Sequence, residues 1–413
     1  MPSLSLLPNL TESVNAFSQL AAAVNETDTQ ARCIDITYYR TIWNIVWSCL
    51  ATIFACAWVA VHRNIPDPTS GMIRVSLDRV AITICALLVP EYMIGWAARQ
   101  WLVARRIAKN EKLAEKARMQ WTVTHGFFAL MGGFYYLEPG NTPRPLSPKE
   151  VEYCIKDGIL ELPKKSDIND KSKGDALSKF FASLQTIWFV MQSIARPLQQ
   201  LPLTKLEIAT LAYTSINVAM YGFWWSKPLS VSRPVRVRRS NVPDPTTITE
   251  STTLTPFQKL NKKLETLMKA VMGSQDGDTD LSKSRQVPTF YAGEPDEWES
   301  IQADAIALVF AMVFGAIHCI AWSFAFPSHA EKLIWRMASI ALVGVPAIYI
   351  FLLVFWATES EVAVKAMLIL SLIGIPFYLM ARVVLLVLAF TTLRSLPPAA
   401  FETVHWTTFI PHI

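Results

Sequence analysis

The sequence predicts an all-α fold: a polytopic helical membrane bundle of about seven transmembrane helices. Two observations carry this. The chain of 413 residues is 52% hydrophobic and only 17% charged, and its apolar residues come in blocks separated by polar, Pro-rich segments. Each block approaches the about 20 residues that a span needs. None alternates like a barrel strand, and helices pair every backbone amide internally, as hydrocarbon demands.

Residues 1–40 form a polar N-terminal segment, in which Asn9, Thr11, Glu12 and Asn15 break any apolar run, so no cleavable signal peptide is read. Asn9 and Asn25 head two N-x-T sequons, candidate glycosylation sites if this segment faces a lumen. Residues 41–102 hold the first two helices, at 41–61 and 80–101. Residues 103–176 form a basic, soluble loop. Within it the apolar stretch 121–137, with His125 and three glycines, reads as interfacial or re-entrant. Ser147, Pro148 and Glu150 start a short helix over 148–157.

Residues 177–225 hold the third and fourth helices, at 177–195 and 206–225. Residues 226–300 read as a mostly disordered cytoplasmic loop. Phe257, Leu260, Leu264, Leu267 and Val271, opposite several lysines, mark a basic amphipathic helix at 256–272 suited to an anionic membrane surface or to docking on the bundle. Residues 301–394 hold the last three helices, at 303–326, 333–356 and 364–393, and 395–413 form a tail. Basic residues from Arg99 to Arg118 and from Lys227 to Arg239 put both flanking loops in the cytoplasm, which places the N-terminus inside, whereas the sequons want it outside.

Polar residues recur at helical spacing within the apolar blocks. Glu207, Thr210, Thr214, Asn217 and Tyr221 make one stripe of the fourth helix, and Gln185, Gln192 and Arg196 share a face of the third. With Asp304 and His318 of the fifth, they form a candidate polar path: Gln185, Gln192, Arg196, Glu207, Thr214, Asn217, Asp304 and His318. The plainer alternative is hydrogen bonding between helices, with Glu207 wet at the interface and His318 packed in the core. Glu91 and Arg382 lie deep in their blocks and form a candidate intramembrane charge pair, with Glu91 to Arg196 as the other option.

No catalytic motif is present, and the six cysteines form no C-x-x-C pair, so neither catalytic residues nor a metal site is indicated. No cofactor can be named. Asp276, Asp278 and Asp280 alternate like the start of a calcium loop, but Leu281 and Val287 occupy its glycine and glutamate positions, so the stretch reads as a solvated acidic linker. The Lys171-Ser172-Lys173-Gly174 stretch reads as a juxtamembrane basic cap rather than a phosphate loop. The formal charge of +5, clustered beside the spans, points to the lipid bilayer and its anionic lipids rather than to nucleic acid. Soluble partners would meet the 226–300 loop.

Several strings carry a resemblance: Arg40 with Trp47-Ser48-Cys49-Leu50, the run from His125 to Phe134, the run from Asp170 to Lys179, and the ending from Trp406 to Ile413. From about Arg40 onward the chain resembles a large family of uncharacterised fungal multi-pass membrane proteins. That resemblance implies a membrane location and a fungal source, and no activity or site residues. Three functions remain: a channel or transporter with a polar path, favoured by the continuous stripes; a membrane-embedded enzyme acting on a lipid or other hydrophobic small molecule, using His125 or His318 with a carboxylate; and a non-catalytic receptor or scaffold.

Overall fold

The computed structural model describes residues 39–110, 115, 121–136, 143–172, 176–229, 231, 234–237, 275–356 and 361–406. The sequons at Asn9 and Asn25, the amphipathic helix at 256–272 and most of the basic run after 109 lie outside the described residues. Within them the order is α1 (Ile42–Phe54, prolonged by a π turn, Ala55–Val59), α2 (Met72–Leu88), α3 (Pro90–Ala108), α4 (Val123–Leu130), β1 (Phe134–Tyr136), β2 (Arg144–Pro145), α5 (Pro148–Lys156), α6 (Lys165–Asp170), α7 (Ala176–Leu198), α8 (Lys205–Phe223), β3 (Val235–Val237), α9 (Glu297–Cys319), α10 (His329–Trp356) and α11 (Glu361–Thr391).

The protein is helical, and among the described residues four helices are long and apolar enough to cross a membrane: Ile42–Val59, Glu297–Ser323, His329–Leu353 and Ile373–Ser395. The expected count of seven is therefore corrected to four among the described residues. The block at 80–101 is broken. Pro90 has no N–H to continue the helical ladder and restricts the residue before it. Val89 adopts φ −139° and ψ 63°, so α2 stops at Leu88 and α3 starts at Pro90. The blocks at 177–195 and 206–225 are single helices, but Lys179, Gln185 and Gln192 dilute α7, and Lys205, Glu207 and the polar stripe dilute α8.

The helices wear their apolar residues outward. Trp43 and Trp47 of α1 are 77% and 72% exposed. On α7 the buried positions Ala182, Thr186, Phe189, Ser193 and Arg196 are largely small or polar, while Leu177, Phe181, Leu184, Trp188 and Met191 face out. A helix in water shows the reverse arrangement. The centre is built from α3, buried without a gap from Met93 to Gln100, and from α8 beside it. The helices α9, α10 and α11 pack in sequence around them.

Close approach between α9 and α10 depends on Gly315, where a Cβ would lie 2.7 Å from the Leu342 carbonyl carbon. At the other end, α4 is only eight residues, about 12 Å, too short to cross a bilayer. Its residues Thr124 to Leu130 are all buried. The stretch 121–137, expected at an interface or as a re-entrant segment, is thus in its described part a core element. Gly126 lets α4 touch the backbone of α3 at Ala104, where a Cβ would meet the carbonyl oxygen at 2.6 Å.

Beyond α4 the chain forms a small second core. β1 pairs antiparallel with β2 and parallel with β3. Phe128, Phe134, Leu146, Val151, Cys154, Ile168 and Val237 fill the space between this sheet, α4, α5 and α6. Ser147 and Glu150 cap α5 reciprocally, with Pro148 in its first turn. The segment 226–300, expected to be mostly disordered, supplies packed parts at both ends: β3 with Lys227 and Leu229, and the stretch from Asp276 to Ala292, whose Leu281, Val287, Tyr291 and Ala292 are buried. Asp276 is buried with them, so this stretch is no solvated linker.

Gly315→Ala should destabilise the full-length protein by about 1–3 kcal/mol through overpacking. Gly344→Ala, on α10 with open space around its Cβ position, should be neutral or stabilising by up to about 1 kcal/mol. Thermal unfolding of both variants in the same detergent checks the pair.

Candidate functional site

The polar stripe of α8 is an interior seam. Glu207, Thr210, Thr214 and Asn217 are at most 4% exposed. They face α1 and α7. The Cys49 thiol meets Thr210, the Cys56 thiol meets Thr186, Thr214 and Asn217, and Gln185 Nε2 donates to Thr52 Oγ1 at 3.1 Å. The Thr210 and Thr214 hydroxyls donate to the carbonyls of Leu206 and Thr210, one turn back. Two buried atoms in this seam, Asn217 Oδ1 and Tyr221 Oη, have no hydrogen-bond partner.

One end of the seam is an ion pair. Arg40 donates to both carboxylate oxygens of Glu207, at 2.5 and 3.1 Å, the bidentate geometry that only a guanidinium offers. The same carboxylate caps α8 by accepting the Thr204 N–H at 2.8 Å. Arg196, 1% exposed, donates to the carbonyls of Pro202, Ala400 and Glu402. Glu207 is therefore buried and neutralised, not wet.

The other end is Lys227, 2% exposed. Its Nζ donates to the His62 carbonyl at 2.5 Å, to Gln100 Oε1 at 2.8 Å and to Asn64 Oδ1 at 3.3 Å. It lies 4.9 Å from the ring centroid of Trp96 and 5.0 Å from that of Trp224. All three acceptors are neutral, so burial alone holds the ammonium well below the usual lysine range. Burial likewise pushes His62 down to about 3, helped by the charges of Lys179 and Lys227.

The loop before α9 closes this knot from outside. The Tyr291 carbonyl accepts Gln100 Nε2 at 2.7 Å and Trp96 Nε1 at 3.1 Å, and the Pro288 carbonyl accepts Asn64 Nδ2 at 3.0 Å. Phe290 and Glu294 hold φ of 69° and 56°, backbone strain that only firm packing maintains. A cleft of about 120 Å³ opens beside Asn64, between residues 61–66, α2, Leu229 and Val231, with Arg63 and Arg79 in its wall.

The eight path candidates do not share one space. Gln185, Thr214, Asn217 and Glu207 share the α1–α7–α8 seam, with Arg196 at its Glu207 end; Gln192 is half-buried on α7. Asp304 instead accepts Arg99 Nη1 of α3 at 3.0 Å. His318 donates to or accepts from nothing catalytic: Nδ1 meets the Phe314 carbonyl at 2.8 Å, and the ring packs against Phe314 and Trp335. His125 meets Thr122 and the Pro163 carbonyl. Glu91 and Arg382 form an ion pair, and the Arg382 guanidinium also lies 4.1 Å from the Phe314 ring centroid. Among the described residues no group of three or more His, Cys, Asp or Glu side chains could hold a metal ion.

Sequence reasoning missed Lys227, Gln100, Asn64 and His62, and counted Lys227 and Arg99 as wet loop cations. The stripe spacing contained the signal for the first: Asn217, Tyr221, Trp224 and Lys227 continue it in steps of four, three and three.

Glu91→Gln should leave Arg382 buried without a counter-charge and cost about 3–5 kcal/mol of stability. The double exchange Glu91→Arg with Arg382→Glu should recover part of the loss. Unfolding midpoints of the single and double variants in one detergent decide this.

No curated protein and no solved structure matches the chain significantly. One family does match, over residues 14–249, a region that includes α1 to α8 and the seam but stops before α9. With more than half of its length covered, the chain belongs to a family of unknown function (DUF8562).

Proposed function

We propose that this is a multi-pass membrane protein that passes a small polar solute along α8, between the Arg40–Glu207 pair and Lys227. The observation that supports this reading best is the pair of unpartnered buried atoms in the seam, Asn217 Oδ1 and Tyr221 Oη. Buried polar atoms without partners are rare, and they mark places where water or a ligand completes the hydrogen bonding. The 19 residues of α8 span about 28 Å, close to the thickness of a hydrocarbon core.

Charge selects the solute class. Arg40, Arg196 and Lys227 border the seam, against two carboxylates, those of Glu207 and, beside Arg196, of Glu402. The surplus is positive, which disfavours cations and suits an anion or a neutral polar molecule. Outward-facing apolar residues on α1 and α7 support placement of this seam within lipid.

After a hyperosmotic step with potassium formate or potassium chloride, in the presence of a potassium ionophore to balance charge, reconstituted vesicles should reswell faster than protein-free vesicles do, as read by light scattering. Asn217→Leu should reduce that rate about tenfold. Ser215→Ala, on the same helix but with its hydroxyl bonded to the Ala212 carbonyl, should leave it unchanged. A wild-type rate equal to that of empty vesicles in every salt, and with a neutral polyol, would falsify this reading.

A further inference from the structure

Beside the Lys227 knot, one position along α3 from Gln100, lies a second buried polar group that the seam does not use. Arg99 is 3% exposed, and its Nη1 is taken by Asp304. Its Nε and Nη2 are buried and have no hydrogen-bond partner. These two nitrogens form one edge of the guanidinium, the side-on fork whose parallel N–H bonds match the two oxygens of a planar carboxylate. Asp276, 4% exposed, receives the Ala292 N–H on Oδ2 at 2.8 Å, while its Oδ1 is buried without a partner. Arg99 and Asp276 are within electrostatic reach of each other, and Tyr92 is close to both.

We propose that Arg99 and Asp276 form a binding site for a small monocarboxylate, held side-on by the Arg99 fork with the Asp276 carboxyl donating to it. Three buried atoms then gain the partners they lack: two donors meet the two oxygens of the ligand, and the carboxyl of Asp276 adds a third hydrogen bond. The fork is half-neutralised by Asp304, so a monoanion fits better than a dianion. The turn from Phe290 to Glu294, strained at those two residues, holds the Asp276 partner, Ala292, between α3 and α4: a Cβ on Gly293 would lie 2.1 Å from Leu130 Cδ2 of α4 and 3.3 Å from Val103 Cγ1 of α3, and Phe290 packs edge-on against Tyr92 of α3.

Protonation of Asp276 is compatible with this role. Burial pushes its carboxyl up to about 6, against the pull of the Ala292 N–H, of Arg99 and of the Glu294 N–H. The other titratable groups that face it are Glu294, Tyr92 and Tyr291. The site stands apart from the seam, and its test does not involve flux.

The experiment is a titration of ¹³C-formate, which stays ionised throughout, into full-length protein in phosphatidylcholine nanodiscs, with binding read from line broadening at constant ionic strength in chloride. Wild type should bind saturably, and more tightly at about pH 5 than at about pH 7.5, where Asp276 is charged and repels the ligand. Arg99→Lys keeps the charge beside Asp304 but cannot offer the fork, and should lose affinity about tenfold or more. Asp276→Asn should bind at both pH values with equal affinity. Absence of saturable binding to wild type would mean that water alone bridges Arg99 and Asp276, and would overturn the proposal. Undiminished binding by Arg99→Lys, or a wild-type pH dependence in Asp276→Asn, would overturn it as well.

Discussion

Lys227 has no carboxylate to answer its charge, and the arrangement of the centre follows from that. Removing an ammonium from water costs several kcal/mol even after the protein relaxes. Three carbonyl-type oxygens and two indole faces offset the cost, each aromatic contact contributing roughly 0.5–2 kcal/mol. The oxygens come from Asn64 and His62 after α1 and from Gln100 of α3, and the indoles from Trp96 of α3 and Trp224 after α8. Gln100 and Trp96 in turn fix the Tyr291 carbonyl. A single desolvated cation thereby sets the relative positions of α1, α3, α8 and the loop before α9.

The same economy of charge governs the rest of the bundle. Three guanidiniums are answered each in its own way: Arg40 by a bidentate carboxylate, Arg196 by a fan of backbone carbonyls, Arg382 by Glu91 and an aromatic wall. Around Arg382 the helices α3, α9 and α11 also share an apolar core, but at α1 and α7 the large hydrophobic residues point away from the centre and polar contacts carry more of the joining. In lipid there is no solvophobic drive to press such faces together, and polar contacts and close packing take over.

Much of the fold was legible in the sequence because hydrophobic block length is a local property, and so is a cap: Ser147, Pro148 and Glu150 identify the start of α5 without reference to anything distant. The α8 stripe was legible too, since spacing by three and four defines a face wherever the helix is put. What that face meets is decided by tertiary packing, and here it meets α1 rather than α9. Arg99 and Lys227 were misread because counting basic residues near a span treats every cation as solvated, whereas one turn of helix decides whether it points to water or to the core. The strands could not be read at all: two or three residues are too few to show a period of two.

The anchoring of Arg40 bears on the order in which the protein can be made. Its backbone N–H donates to the Phe401 carbonyl at 2.6 Å and its Nε to the Ala400 carbonyl at 2.8 Å, a partner 360 positions further along the chain. While the ribosome is still adding α11, α1 and α8 can already meet through Arg40 and Glu207, yet the carbonyls that complete Arg40 and Arg196 have not emerged. Contacts so distant in sequence close last. The seam thus has an unlatched end until residues 399–402 arrive, and only then do the two guanidiniums gain these backbone acceptors.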